Sequence, residues 1–160
     1  MASPGGEEMK YKFAKAVFAF LVLPGTVGFL IPLGLAPNQL PTEPVHWLGI
    51  PLLVTGVFIL LWCVRDFYVA GTGTLAPWAP PRDLVRTGLY RYSRNPMYLG
   101  VSTILIGWTV LFLSRTLLIY TVAVAIMFHL RVILGEEPWL ARTHGAKWEA
   151  YKGNVPRWFL

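Results

Sequence analysis

Four long stretches of this sequence are apolar and almost free of charge, and they restrict the fold more than any other feature. They cover residues 13–35, 45–67, 96–113 and 116–134. A helix rises about 1.5 Å per residue, so about 20 residues cross the roughly 30 Å hydrocarbon core of a bilayer. A soluble protein of this size needs more polar surface than a chain with 55% hydrophobic and 14% charged residues provides. We therefore predict an all-α integral membrane protein with about four transmembrane helices.

The third and fourth spans are separated only by Ser114 and Arg115. So short a connection predicts an antiparallel helical hairpin. After the fourth span, residues 137–152 are amphipathic, with Leu140, His144, Trp148 and Tyr151 at intervals of four, four and three. This spacing predicts a C-terminal interfacial helix, and a plain surface anchor has the same pattern. Residues 1–160 are expected to form a single membrane-embedded domain.

Positive charge lies almost entirely in three segments. Of the 14 Lys and Arg residues, 13 lie towards one side of the spans: before or at the start of the first, from the end of the second to the start of the third, or from the end of the fourth onward. Only Arg115 lies in a connection on the opposite side. This asymmetry predicts that both termini and the central loop face the cytoplasm, in a bacterial or archaeal cell membrane. The net charge of +6 then reflects topology, so the expected partner is the lipid bilayer and no nucleic acid is required.

Metal and disulfide chemistry is not indicated by the sequence. Cys63 is the single cysteine, which excludes an intramolecular disulfide and a cysteine metal cluster. The three histidines are not spaced with an acid or with one another as metal ligands would be. We therefore expect no metal.

The first polar cluster is RTGLYRYSRNPMYLG, at residues 86–100. Pro96 is suited to the first turn of the third span, and Asn95 before it is biased away from helix. The unpaired N–H groups of a helix N-terminus can hold a carboxylate or phosphate. Basic and aromatic residues beside a span are also common as interface anchors, so both interpretations stay open.

The second polar cluster is Glu136 and Glu137, just after the fourth span. Adjacent carboxylates at an apolar boundary are costly unless a cation or polar ligand pairs with them. They could cap the following helix or contact a ligand. The predicted hairpin returns them to the side of the membrane that carries the first cluster.

Together, GLYRYSRNPMYLG and EEPWLARTHGAKWEAYKGNVPRW resemble the paired signatures of the isoprenylcysteine carboxyl methyltransferase family, which is similar in turn to the phospholipid methyltransferases. The resemblance covers about residues 82–158. It implies an integral-membrane enzyme that binds S-adenosylmethionine at the cytoplasmic side. The methyl acceptor would be a lipid-like or small hydrophobic molecule that enters from the membrane, with a carboxylate or an amine as the reacting group.

The same resemblance implies roles for individual residues. Cofactor binding is assigned to Arg82, Asp83, Leu84, Val85, Tyr90, Asn95, Pro96, Tyr98, Gly100 and Glu136. Catalysis is assigned to Arg131, which would hold an acceptor carboxylate, and to Glu137, which could accept a proton from an amine; His129 is the alternative proton acceptor. Asn95 replaces the commoner His, and an amide cannot titrate near neutrality. Carboxylate-methylating relatives carry an Arg four residues before the first Glu, whereas Arg131 is five residues before it, about 100° further round an α-helix.

Two other functions are compatible with the sequence. Membrane sterol reductases look similar in this C-terminal part and use NADPH, but they would need more cations for its 2′-phosphate. A non-enzymatic membrane assembly protein could use both clusters only as anchors. Comparing the binding of NADPH with that of S-adenosylmethionine separates the two enzymes, and simultaneous substitution of both clusters tests the third function.

Overall fold

The computed structural model describes residues 22–38, 43–70 and 84–159, with the backbone alone for 67–70. The helices are α1 (Val22–Leu35), α2 (Gly49–Ala70), α3 (Pro96–Phe112), α4 (Arg115–His144) and α5 (Ala146–Asn154). Winding is of the π type over Thr26–Leu30 in α1 and Val132–Glu136 in α4. Short 3₁₀ turns, Pro44–Leu48 and Gly88–Arg91, precede α2 and α3. No strand occurs within the described ranges, which agrees with the all-α prediction.

Two of the four predicted spans are helices long and apolar enough to cross a membrane. They are Pro44–Asp66, with 23 residues, and Arg115–His144, with 30. Only 22% of each apolar stretch is buried within the protein, so most of its side chains face outward, as lipid-facing side chains do. The helix Pro96–Phe112 has 17 residues and covers about 26 Å, less than a hydrocarbon core. Residues 13–21 of the first predicted span lie outside the described part of the chain, and four spans are not confirmed.

Helices α2 and α3 pack closely because glycines face each other at two levels. Gly49 and Gly56 on α2 lie seven residues apart, as do Gly100 and Gly107 on α3. A Cβ atom at Gly49 would lie against the carbonyl oxygen of Gly107, and one at Gly56 would lie 2.7 Å from the carbonyl oxygen of Gly100. Small residues of this kind let helix backbones approach each other inside a membrane.

Gly56→Ala is expected to destabilise the protein by about 1–3 kcal/mol, because the new methyl group would overlap backbone that cannot move without separating α2 from α3. Thermal unfolding in detergent would measure the loss. Gly34→Ala is the matched control, since an added Cβ there has no neighbour within 4 Å. The control is expected to be neutral or slightly stabilising, because alanine favours helix over glycine. Equal melting temperatures for Gly56→Ala and the control would contradict the glycine contact.

Two hydrogen bonds to backbone carbonyls near Pro32 hold helix α1 to α3 and α4. Pro32 has no N–H, so it cannot pair with the carbonyl of Gly28 in α winding or with that of Val27 in π winding. The indole Nε1 of Trp108 donates to Gly28 O at 3.0 Å. The hydroxyl of Tyr120 donates to Val27 O at 2.9 Å. The proline therefore removes the helical donor of one of these carbonyls, and neighbouring helices supply donors to both.

The predicted hairpin of the third and fourth spans is present as α3 and α4. Leu113 turns the chain in the left-handed region, with φ of 44°. Ser114 then caps α4, its side chain accepting from the N–H of Leu117. Farther along the pair, the hydroxyl oxygens of Thr109 and Thr121 lie 2.9 Å apart, which links the two helices inside an apolar interface.

The residues predicted to form an interfacial helix, 137–152, are helical in two parts: Glu137–His144, which is the last part of α4 after the π-turn, and Ala146–Asn154, which is α5. The break lies at Gly145, whose φ of 49° suits a residue without a Cβ. The aromatic residues of α5, Trp148 and Tyr151, face the protein and are buried together with Val155, which follows the helix.

Candidate active site

The turn before α3 is fixed to the end of α2 by a buried carboxylate. Asp66 is only 7% exposed and accepts from the N–H of Leu89 at 3.1 Å. Gly88 has φ of +59°, and a Cβ there would collide with the Asp66 carboxylate. Asp66 was not among the residues predicted from the sequence. A carboxylate in the last turns of an apolar span was the signal that could have identified it.

Tyr90, predicted to contact the cofactor, lies in the interior. It is 8% exposed and packs with Cys63 and Val85. Its carbonyl oxygen accepts from the hydroxyl of Tyr151 at 2.7 Å. Burial raises the pKa of Tyr90 well above its usual value, and burial raises the pKa of Tyr151 to about 12. Both phenols are therefore neutral at physiological pH, and the Tyr151 hydroxyl links the turn to α5.

The start of α3 is tied to the segment after α5. The side-chain amide of Asn95 donates to the carbonyl oxygen of Arg157 at 3.0 Å, and the hydroxyl of Ser93 donates to the same oxygen at 3.3 Å. The N–H of Arg94 donates to the carbonyl of Pro156 at 2.9 Å. The Asn95 side chain thus holds this C-terminal segment and makes no cap for α3.

Glu137 is the centre of a buried ion-pair cluster. Its Oε1 accepts from Arg94 Nη1 and Arg157 Nε, both at 2.8 Å, and its Oε2 accepts from Arg157 Nη2 at 2.8 Å. The Glu137 and Arg94 side chains are 12% and 10% exposed. The hydrogen bonds from Arg157 to Glu137 raise the pKa of the arginine, so the pair is ionised throughout the physiological range. A carboxylate with both oxygens on guanidinium groups is poorly placed to accept a proton, so this geometry favours a structural role.

Glu136, one residue earlier, is in a different environment. Tyr98 donates its hydroxyl to Glu136 Oε1, and Arg131 Nε donates to the same oxygen at 3.0 Å. The Glu136 and Arg131 side chains are 35% and 50% exposed. Within the described ranges Oε2 of Glu136 receives no hydrogen bond from the protein, so this oxygen is open to a ligand.

The direction of Arg131, which the sequence left open, follows from the π-turn. In an α-helix two residues five positions apart are rotated by about 140° and do not meet. Residues Val132–Glu136 have π winding, in which a turn takes about one residue more. Arg131 and Glu136 consequently lie on the same side of α4 and form their hydrogen bond.

A family model described as phospholipid methyltransferase matches residues 44–147. The chain belongs to the phospholipid methyltransferase family. Membership implies methyltransferase activity, and the family is membrane-associated and lipid-directed, which agrees with the apolar helices. No curated protein and no solved structure matches the chain.

The phospholipid methyltransferase match contains Tyr98, Arg131 and Glu136, and it ends before Tyr151 and Arg157. The partly exposed cluster of Tyr98, Arg131 and Glu136 therefore lies wholly within the region that matches the family. Tyr151 and Arg157, which bond to Tyr90 and Glu137, lie outside it. Arg157 was not predicted from the sequence, because its partner Glu137 is 20 residues away and only the fold brings them together.

The remaining predicted site residues lie elsewhere. Gly100 faces α2, where a Cβ would be 3.0 Å from Ile59, so it serves helix packing. Leu84 packs against the buried side chains of α5. Val85 packs with Tyr90. Arg82 and Asp83 lie outside the described residues. Among those that are described, no group of three or more His, Cys, Asp or Glu residues could hold a metal ion.

An apolar groove lies beside the start of α3 and has a volume of about 140 Å³. It is lined by Ile59, Leu89, Tyr92, Pro96, Leu99 and Phe159. Pro96, predicted to contact the cofactor, thus lines a hydrophobic surface. The groove suits a hydrocarbon chain better than a polar ligand.

Proposed function

We propose that the protein is an integral-membrane methyltransferase that uses S-adenosylmethionine and methylates a lipid-like or small hydrophobic acceptor. The observation that carries this proposal is the family match, because the matched region contains the partly exposed cluster of Tyr98, Arg131 and Glu136. The positive-inside pattern supports a cytoplasmic position for this cluster.

The chemistry of the cluster fits the cofactor. S-adenosylmethionine supplies an activated methyl group on a sulfonium, and it also carries an ammonium and a carboxylate. Glu136 has an open carboxylate oxygen that would bind the ammonium by a charge-assisted hydrogen bond. Arg131 is half exposed, so its guanidinium can bind a carboxylate of the cofactor or of the acceptor.

The neighbouring residues would then hold these two groups in place. Tyr98 orients Glu136 through its hydroxyl, and its ring packs against Phe128 with centroids 4.5 Å apart. Glu137, through Arg94 and Arg157, would act as a positioning residue that keeps α4 against the start of α3. Methyl transfer depends strongly on the alignment of the reacting atoms, so this rigidity would contribute to the rate. Arg82 and Asp83 remain predicted cofactor contacts.

The acceptor would place its hydrocarbon part in the apolar groove beside Pro96. A carboxylate acceptor is already ionised at neutral pH and needs no base. An amine acceptor must lose a proton, and the pairing of Glu137 with two arginines makes that carboxylate a weak base for the task. The geometry therefore favours a carboxylate over an amine.

The direct test measures binding of S-adenosylmethionine and of NADPH to the purified protein in lipid nanodiscs by titration calorimetry. Saturable binding of S-adenosylmethionine alone supports the proposal. Absence of that binding contradicts it, and binding of NADPH would indicate a reductase. Tritiated methyl transfer into a total lipid extract, followed by base treatment, then separates a base-labile ester from a base-stable methylamine.

A further inference from the structure

Helix α4 contacts Tyr98 of α3 both before its π-turn and at the last residue of the turn. Before the turn, Phe128 packs on the ring of Tyr98, and at the end of the turn Glu136 accepts from the hydroxyl of the same tyrosine. In an uninterrupted α-helix, residues eight positions apart are rotated by about 80°. A turn that takes in one extra residue reduces the difference to that of seven positions, about 20°. The π-turn thus brings both contacts onto one face.

The cause of the π-turn is readable in the sequence. The N–H of Glu137 bonds to the carbonyl of Val132, five residues back, and the next residue is Pro138. Pro138 has no N–H, and in α winding its ring would clash with the carbonyl four residues before it. The same arrangement occurs in α1, where a π segment ends with a bond from Ile31 directly before Pro32. A proline inside each helix therefore disfavours the α alternative at this point.

We propose that the π-turn Val132–Glu136, maintained by Pro138, is the positioning element of the site. It sets the rotation of the C-terminal part of α4, so that Glu136 meets both Tyr98 and Arg131. The inference rests on the proposed function in one respect, namely that Glu136 binds the cofactor.

Removing one residue from the turn tests this role. Deletion of Leu134 together with Pro138→Ala allows continuous α winding and leaves Glu136 facing Tyr98. The control is deletion of Ile126, in the α-wound part of the helix, with Pro138 kept so that the π-turn persists. Both deleted side chains are exposed, at 73% and 55%, so neither removal empties a core position. The control rotates everything after residue 126 by about 100° relative to α3.

The affinity for S-adenosylmethionine, measured in nanodiscs, is expected to stay within about threefold of wild type in the Leu134 deletion. In the Ile126 deletion it is expected to fall at least about tenfold, because Glu136 no longer reaches its partners. Equal loss in both deletions would overturn the proposal. Deletion of Gly135, which has open space around it, also removes one residue from the π-turn and should behave like the Leu134 deletion. If neither π-turn deletion folds, the proposal is also overturned.

A readout without ligand separates this inference from the proposed function. Tyr98→Phe removes the hydroxyl that bonds Glu136, so it should lower the melting temperature by about 2–4 °C in the wild type. The same shift is expected in the Leu134 deletion and no shift in the Ile126 deletion. An equal shift in both deletions would disprove the register role. A wild-type protein that binds no S-adenosylmethionine would disprove the proposed function while this comparison still decides the role of the turn.

Discussion

Glu137→Ala is expected to destabilise the protein by about 3–5 kcal/mol. The substitution removes the carboxylate that accepts three hydrogen bonds, each at 2.8 Å, from Arg94 and Arg157. Arg94 is 10% exposed, so its charge would be left buried beside the ring of Trp148, 5.6 Å from the guanidinium carbon, without a carboxylate partner. An unpaired buried charge costs much more than the loss of a surface pair. Chemical or thermal unfolding in detergent would measure the change.

The matched control is Glu149→Ala. Glu149 also lies on a helix and pairs with a cation, Lys152, but its side chain is 61% exposed and the ions are 3.6 Å apart. Exposed pairs of this kind contribute little, so the control should change stability by less than about 1 kcal/mol. If Glu137→Ala unfolds at the same temperature as the control, Glu137 does not hold the C-terminal segment against α3 and α4.

Glu136→Gln is expected to weaken binding of S-adenosylmethionine by about 10- to 100-fold with little change in stability. A hydrogen bond to a charged group contributes about 1.5–3 kcal/mol, and glutamine keeps the shape and the acceptor while losing the charge. Because Glu136 is 35% exposed, removing its charge should cost the fold less than about 1 kcal/mol. Titration calorimetry in nanodiscs, together with a melting curve, measures both quantities on one preparation.

Glu149→Gln serves as the control for this experiment, since it removes one negative charge from the same molecule away from the Tyr98 and Arg131 cluster. It should bind S-adenosylmethionine as the wild type does. Unchanged affinity in Glu136→Gln would exclude Glu136 as the partner of the cofactor ammonium. A large loss of melting temperature would instead assign Glu136 a structural role like that of Glu137.

The contrast between these adjacent glutamates marks what the sequence alone could not resolve. Both were recognisable as costly charges at the end of an apolar run, which indicated a role without distinguishing the two. Their separation depends on side-chain direction: consecutive helical residues point about 100° apart. Glu137 therefore meets Arg94 and Arg157, whereas Glu136 meets Tyr98 and Arg131.

Other residues also separate into those whose placement the sequence predicts and those whose placement only the tertiary structure shows. The hairpin of α3 and α4 was predictable, because two apolar runs separated by Ser114 and Arg115 have no other way to connect. The burial of Tyr90 was not predictable, because it depends on Cys63 and Tyr151, which come from distant parts of the chain. The continuity of α4 through Glu136 and Glu137 was not predictable, because an acidic pair followed by proline is typical of a helix start, while in this chain the pair lies where a π-turn passes into α winding.

The sequence by itself determined the helical class, the apolar runs, the segments in which positive charge collects and the family signature. These properties depend on local composition and on periodicity along the chain, and they do not require knowledge of which helices touch. Only the tertiary structure decided which carboxylate is open, where Arg131 points and what holds the segment around Arg157. Those outcomes depend on helix rotation and on contacts between distant residues, and a single extra residue in one turn of α4 changes them by about 100°.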